Sequence, residues 1–71
     1  MPLITVSIIE NVFSAKEKEN IIAKLTDAMV EIEGEGMRPV TWVKIEEVPE
    51  GQWGIAGTSI TTAMAQAMRK A

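Results

Sequence analysis

Residues 3–18 read Leu-Ile-Thr-Val-Ser-Ile-Ile-Glu-Asn-Val-Phe-Ser-Ala-Lys-Glu-Lys, and this stretch decides the fold because a strand and a helix start stand almost back to back in it. Residues 3–10 are rich in β-branched side chains and partly alternate, with Ile4, Val6 and Ile8 on one face and Leu3, Thr5, Ser7 and Ile9 on the other. Both faces are apolar enough to be at least half buried. Ser14 with Glu17 three residues on forms a capping box, in which side chains satisfy the first free N–H groups of a helix. The helix is expected to begin at Ala15.

Downstream, Ile21, Ile22, Leu25, Ala28, Met29 and Ile32 recur at three-and-four spacing, which predicts one buried helical stripe, while Lys16, Lys18, Glu19, Lys24, Asp27 and Glu31 take the remainder. Met29 reads as core filler rather than as a ligand, because flexible methionines fill irregular gaps. Gly34 and Gly36 stop the helix. Arg38-Pro39 then predicts an extended entry into a second strand from Val40 to Val48, with Val43 and Ile45 on one face and Trp42, Lys44 and Glu46 on the other. Strand, helix and strand at this spacing make a parallel β-α-β unit, whose crossover is right-handed in nearly all proteins. The helix should cover Val43 and Ile45, leaving Trp42 and Lys44 to face another subunit or a cavity.

Pro49-Glu50-Gly51 marks a turn, and Gln52-Trp53-Gly54-Ile55-Ala56-Gly57 suits a small hairpin or arm. Trp53, between polar and glycine neighbours, is a candidate for packing on a neighbouring chain or for touching a ligand. Thr58 or Ser59 can cap a last helix bearing Ile60, Met64 and Met68, with Arg69 and Lys70 at its negative end.

The 71 residues make a single domain, 1–71, of α+β class: a β-α-β unit with a short C-terminal hairpin and a terminal helix. The chain is apolar for its size, with 46% hydrophobic residues and a mean hydropathy of +0.10. Cysteine and histidine are both absent, so neither a disulfide nor a zinc site reinforces it, and self-association is the expected remedy. A formal charge of −3 and a pI near 4.8 argue against a nucleic-acid partner, since phosphate binding needs a surplus of clustered Lys and Arg. No apolar run approaches the roughly 20 residues of a membrane span, and no secretory signal opens the chain. A cytoplasmic protein without metal or organic cofactor is expected.

Pro2 carries the chemistry in this reading. Once Met1 is trimmed, its nitrogen becomes a free secondary amine, which is a base, whereas an amide nitrogen is not. The plainer alternative is a proline that opens an edge strand.

Met1-Pro2 before a strand, the helix start Ser14-Ala15-Lys16-Glu17-Lys18, a proline before the second strand and Trp53-Gly54-Ile55-Ala56-Gly57 together resemble the 4-oxalocrotonate tautomerase group of the tautomerase superfamily. The resemblance spans nearly the whole chain. It implies a β-α-β protomer with a short hairpin, assembled as a hexamer built from dimers. It also implies an isomerase of a small enol or dienol carboxylic acid, in which Pro2 moves a proton between oxygen and carbon. Burial and a nearby cation both disfavour a charged amine, so such a nitrogen can accept a proton and return it near neutrality. By the same resemblance Lys44 stands where the family has an arginine that binds the substrate's carboxylate or carbonyl oxygen, and Trp53 stands at an aromatic wall.

Two departures qualify the resemblance. Lysine keeps the charge at position 44 but loses the planar two-pronged grip, and there it could equally be a solvated or interface residue. Where canonical members have a second substrate arginine before the helix, this chain has Asn11-Val12-Phe13, one residue longer, with Phe13 at the arginine's place. Arg38 is the alternative cation. Three readings stand open: an isomerase of an enol acid, monocarboxylate or apolar in character; a hydratase or dehalogenase in which Glu10, Glu46 or Glu47 assists water; and a non-catalytic oligomer that binds a small ligand or serves as a structural subunit.

Overall fold

β1 (Leu3–Ile9) leads into α1 (Ala15–Glu33), a 3-10 helix over Glu35–Val40, β2 (Trp42–Val48), a hairpin of β3 (Trp53–Ile55) and β4 (Thr58–Ile60), and α2 (Thr62–Lys70) in the computed structural model, which describes residues 1–70. β1 and β2 pair in parallel from Leu3 opposite Trp42 to Ile9 opposite Val48. The connection between them contains α1, as a parallel crossover requires.

α1 starts where the capping box directs. The Ser14 hydroxyl accepts the Glu17 N–H at 3.1 Å, and the Glu17 carboxylate accepts the Ser14 N–H at 2.9 Å. α1 packs against β2, and the residues on that side of the sheet, Ile4, Val6, Val43 and Ile45, are half-buried. The opposite face carries Leu3, Thr5, Ser7, Trp42, Lys44 and Glu46 and lies open, with Leu3 55% and Trp42 57% exposed.

Three expectations are corrected. The covered stripe of α1 keeps Ile21, Leu25 and Met29, which are half-buried, but takes in Thr26, Val30 and Glu33 beside them. Val30 is buried, whereas Ile22 and Ala28 are exposed and Ile32 is 83% exposed. The apolar set on this helix is broader than a two-stranded sheet can cover, so part of it stays outside. Arg38-Pro39 is not extended but lies inside the 3-10 helix, whose backbone suits the fixed φ of proline. Arg38 secures that turn by bonding Glu35 at 2.7 Å and Asp27 at 2.8 Å. Lastly, Thr58 and Ser59 do not cap α2, because they pair with Ile55 and Gly54 in the hairpin. The cap is Thr61, whose hydroxyl accepts the Met64 N–H at 3.1 Å.

Among the described residues the buried apolar side chains are Ile8, Ile9, Val12, Val30 and Ile60. Ile9, Val12 and Ile60 form a cluster onto which Phe13, Trp53 and Ala65 pack. The radius of gyration is 14.6 Å, against about 11 Å for a self-contained globule of this length. No helix among the described residues is long and apolar enough to cross a membrane.

Candidate active site

Pro2 sits at the entrance to β1 and is half-buried. Its carbonyl accepts the Trp42 N–H at 3.0 Å, so the first bond beyond the strand ladder fixes the chain next to the proline nitrogen. With Met1 attached, that nitrogen is an amide and has no basic lone pair. Removal of Met1 turns it into a secondary amine without disturbing the carbonyl bond.

Lys44 lies opposite Thr5 on the open face of the sheet, two residues along β2 from Trp42. Its ammonium pairs with Glu46 at 3.0 Å, as residues two apart on a strand share a face. The other two glutamates are engaged elsewhere. Glu47 accepts from Lys18 and from the Asn11 N–H, which hold its carboxyl below the usual range. Glu10 accepts the Glu50 N–H at 3.0 Å. Of the three candidates for assisting water, only Glu46 touches Lys44. Arg38 is held between Glu35 and Asp27, away from the open face, so it does not replace the missing cation.

Trp53 stands at the other end of the sheet. It packs on Ile9, Val12 and Ile60, and Ile9 lies about 23 Å along β1 from Pro2 at ~3.3 Å per residue. Pro2 and Lys44 thus belong to the same half of the sheet, and Trp53 of the same chain does not join them.

A groove of about 360 Å³ opens beside Trp53, walled by Ile9, Val12, Phe13, Ile60 and Met68, with Arg69 among its lining residues. The sequence alone marks Arg69 only as a charge at a helix end. In the fold its guanidinium lies 4.5 Å from the centre of the Phe13 ring. It also donates to the Val12 carbonyl at 2.8 Å and makes a two-pronged pair with Glu17. The hydrogen bond from Arg69, followed by the Ser14 N–H, lowers the Glu17 carboxyl to about 2. No local signal announces this cluster, since its partners are more than 50 positions apart; Arg69 and Glu17 are separated by 52.

The family model described as "Tautomerase enzyme" matches residues 2–63, so the match begins at the proline. The chain is 34% identical over 67 residues to a "probable tautomerase" of Dickeya dadantii (strain 3937), covering 94% of this chain and 98% of that one. It is 42% identical over 59 residues to a 2-hydroxymuconate tautomerase of Pseudomonas putida, covering 83% of this chain and 90% of the relative.

Proposed function

The chain belongs to the tautomerase family, and from that premise we propose that it isomerises a small enol or dienol acid with Pro2 as general base once Met1 is removed. The Pro2 nitrogen takes the enol O–H proton as the carbonyl forms, and the resulting ammonium returns a proton to the neighbouring carbon. No net oxidation occurs and no cofactor is needed. Lys44 holds the carboxylate or carbonyl oxygen and steadies the charge that develops there. The observation that carries this reading is the family match beginning at residue 2, on a proline whose own carbonyl is tied to β2.

A site that uses both Pro2 and Trp53 draws them from different copies of the chain, because one copy holds them at opposite ends of β1. The open face with Leu3 and Trp42, the exposed Ile32 and the large radius of gyration support an assembly, for which a homohexamer is the proposed form. The pair of Lys44 and Glu46 favours a second reading, in which Glu46 orients water for addition to an unsaturated acid.

The test is ketonisation of phenylenolpyruvate by protein whose intact mass shows Met1 removed, beside a Pro2→Ala variant processed in the same way. Loss of about 10²-fold or more in rate is expected for the variant. Equal rates in the two proteins would remove Pro2 from the chemistry.

A further inference from the structure

The groove beside Trp53 has the size of a small-molecule site, about 360 Å³ against a usual range of ~300–1,000 Å³. Its wall is almost wholly apolar. Among the described residues Ser7 and Arg69 are the only polar ones that line it, and Arg69 is the only charged one. A ligand suited to such a wall has an apolar body and one anionic group.

Arg69 still has the means to take that group. A guanidinium offers five N–H donors. Nη1 serves Val12 and Glu17, and Nη2 serves the second oxygen of Glu17, so the end-on pair of donors is occupied. Nε–H and the second hydrogen on Nη2, which together form the side-on fork, have no partner among the described residues. The Phe13 ring stacked against the guanidinium holds its plane, and Glu17 and Val12 hold its far edge. A fork fixed in this way is preorganised for a carboxylate.

We infer that this groove binds the body of an aryl-substituted monocarboxylic acid between Phe13 and Trp53, and that Arg69 takes its carboxylate through the free Nε/Nη2 fork. The inference rests on the isomerase reading for its substrate class, and it adds the anchor. Phe13 leaves the turn before α1 without a cation, and the last turn of α2 supplies one from the other end of the chain. Arg69 lies in the C-terminal helix, beyond residues 2–63 that match the family model. Glu17 offsets much of the guanidinium's charge, which makes the attraction short-ranged and directional. Among the described residues of one copy the groove holds no second cation.

Calorimetric titration of the full-length protein with trans-cinnamate and with cinnamamide tests the anchor, because the two ligands share a body and differ in the carboxylate. Wild type should bind cinnamate roughly tenfold tighter than the amide. Arg69→Gln should bind the two alike, and Arg69→Lys should lose most of the preference while keeping the charge. A purely structural Arg69 would shift both ligands together and leave their ratio unchanged. Should Arg69→Gln fail to fold, the wild-type ratio and Arg69→Lys decide. Equal affinities in wild type, or a preference undiminished in the folded variants, would overturn the anchor. Neither probe is an enol, so the outcome is independent of Pro2: turnover of phenylenolpyruvate without the cinnamate preference sinks the anchor alone, and the preference without turnover sinks the isomerase reading alone.

Discussion

Arg69 in the last turn of α2 and Glu17 in the first turn of α1 form a two-pronged ion pair across 52 residues of sequence. That contact fastens the C-terminal helix over the turn at Asn11-Val12-Phe13, with help from Gln66, whose amide donates to the Asn11 and Val12 carbonyls at 2.9 and 3.0 Å. Glu17 serves at once as the return half of the capping box and as the partner of Arg69. One carboxylate therefore couples the start of one helix to the end of the other.

The coupling predicts an acid-sensitive fold. Arg69 first, then the Ser14 N–H, lower the folded-state value of Glu17 from 4.5 to about 2. Folding thus favours the ionised form, so the contribution is complete above about pH 4.5 and fades as pH falls toward 2. Glu47, lowered by Lys18, and Glu35, lowered by Arg38, act in the same direction. Glu17→Gln keeps a side chain able to accept the Ser14 N–H but loses the ion pair. Urea midpoints measured against pH at fixed protein concentration should fall less steeply below pH 4.5 in this variant; an unchanged slope would show that the pair carries no linkage.

The turn of the hairpin predicts a stabilising change. Ala56 and Gly57 connect β3 to β4 with φ of 51° and 81°, both left-handed, as a two-residue hairpin turn of the primed type demands. Asparagine tolerates that region better than alanine, so Ala56→Asn should raise stability, by at most about 1 kcal/mol. Gly57→Ala should lower it by roughly 1 kcal/mol; a Cβ there meets nothing within 4 Å, so the cost is backbone strain alone. Thermal unfolding of the two variants at one concentration checks the opposite signs.

What could be read in advance was what local chemistry encodes. Ser14 and Glu17 lie one helical turn apart, and they set the start of α1 whatever surrounds them. The alternation in β2 likewise separated Val43 and Ile45 from Trp42 and Lys44 correctly. The start of α2 differs from the sequence expectation because Thr58, Ser59 and Ile60 carry cap and helix signals that pairing with β3 and the burial of Ile60 override. The 3-10 helix at Glu35–Val40 is legible only in part: Arg38 bonds Glu35 within the turn, but its second bond reaches back to Asp27 on α1. For the candidate site, residue type singles out Pro2, Lys44 and Trp53 as candidates, but the distance between Trp53 and Pro2 is a property of the parallel sheet. Arg69 was invisible as an anchor because Phe13, Val12 and Glu17 reach it only through the tertiary fold.

The open sheet face predicts an effect on assembly. Leu3 and Trp42 are neighbours across the β1/β2 ladder and more than half exposed in the single chain. If another copy covers them, Trp42→Glu inserts an unpaired charge into an apolar contact, where desolvation is costly. Sedimentation velocity should show a smaller species for the variant than for wild type at equal concentration. Identical sedimentation would mean that this face meets solvent and that the copies join elsewhere.

Lys44 and Glu46 give the sharpest kinetic expectation. Their ion pair is half-exposed on both sides, and an exposed pair of this kind contributes at most about fivefold to an equilibrium. A substrate oxygen can therefore displace Glu46 from Lys44 at little cost. Glu46→Gln should lower KM a few-fold and leave kcat unchanged, because the competitor for the ammonium is gone while the base is untouched. Lys44→Ala should lower kcat/KM by roughly 10²-fold if the ammonium steadies charge in the transition state. Lys44→Arg restores a two-pronged grip and should keep most of that activity. The second reading of the site reverses one sign: if Glu46 orients water, Glu46→Gln abolishes addition to an unsaturated acid instead of tightening its binding. Steady-state kinetics of the three variants with one enol acid and one unsaturated acid therefore separates the two chemistries.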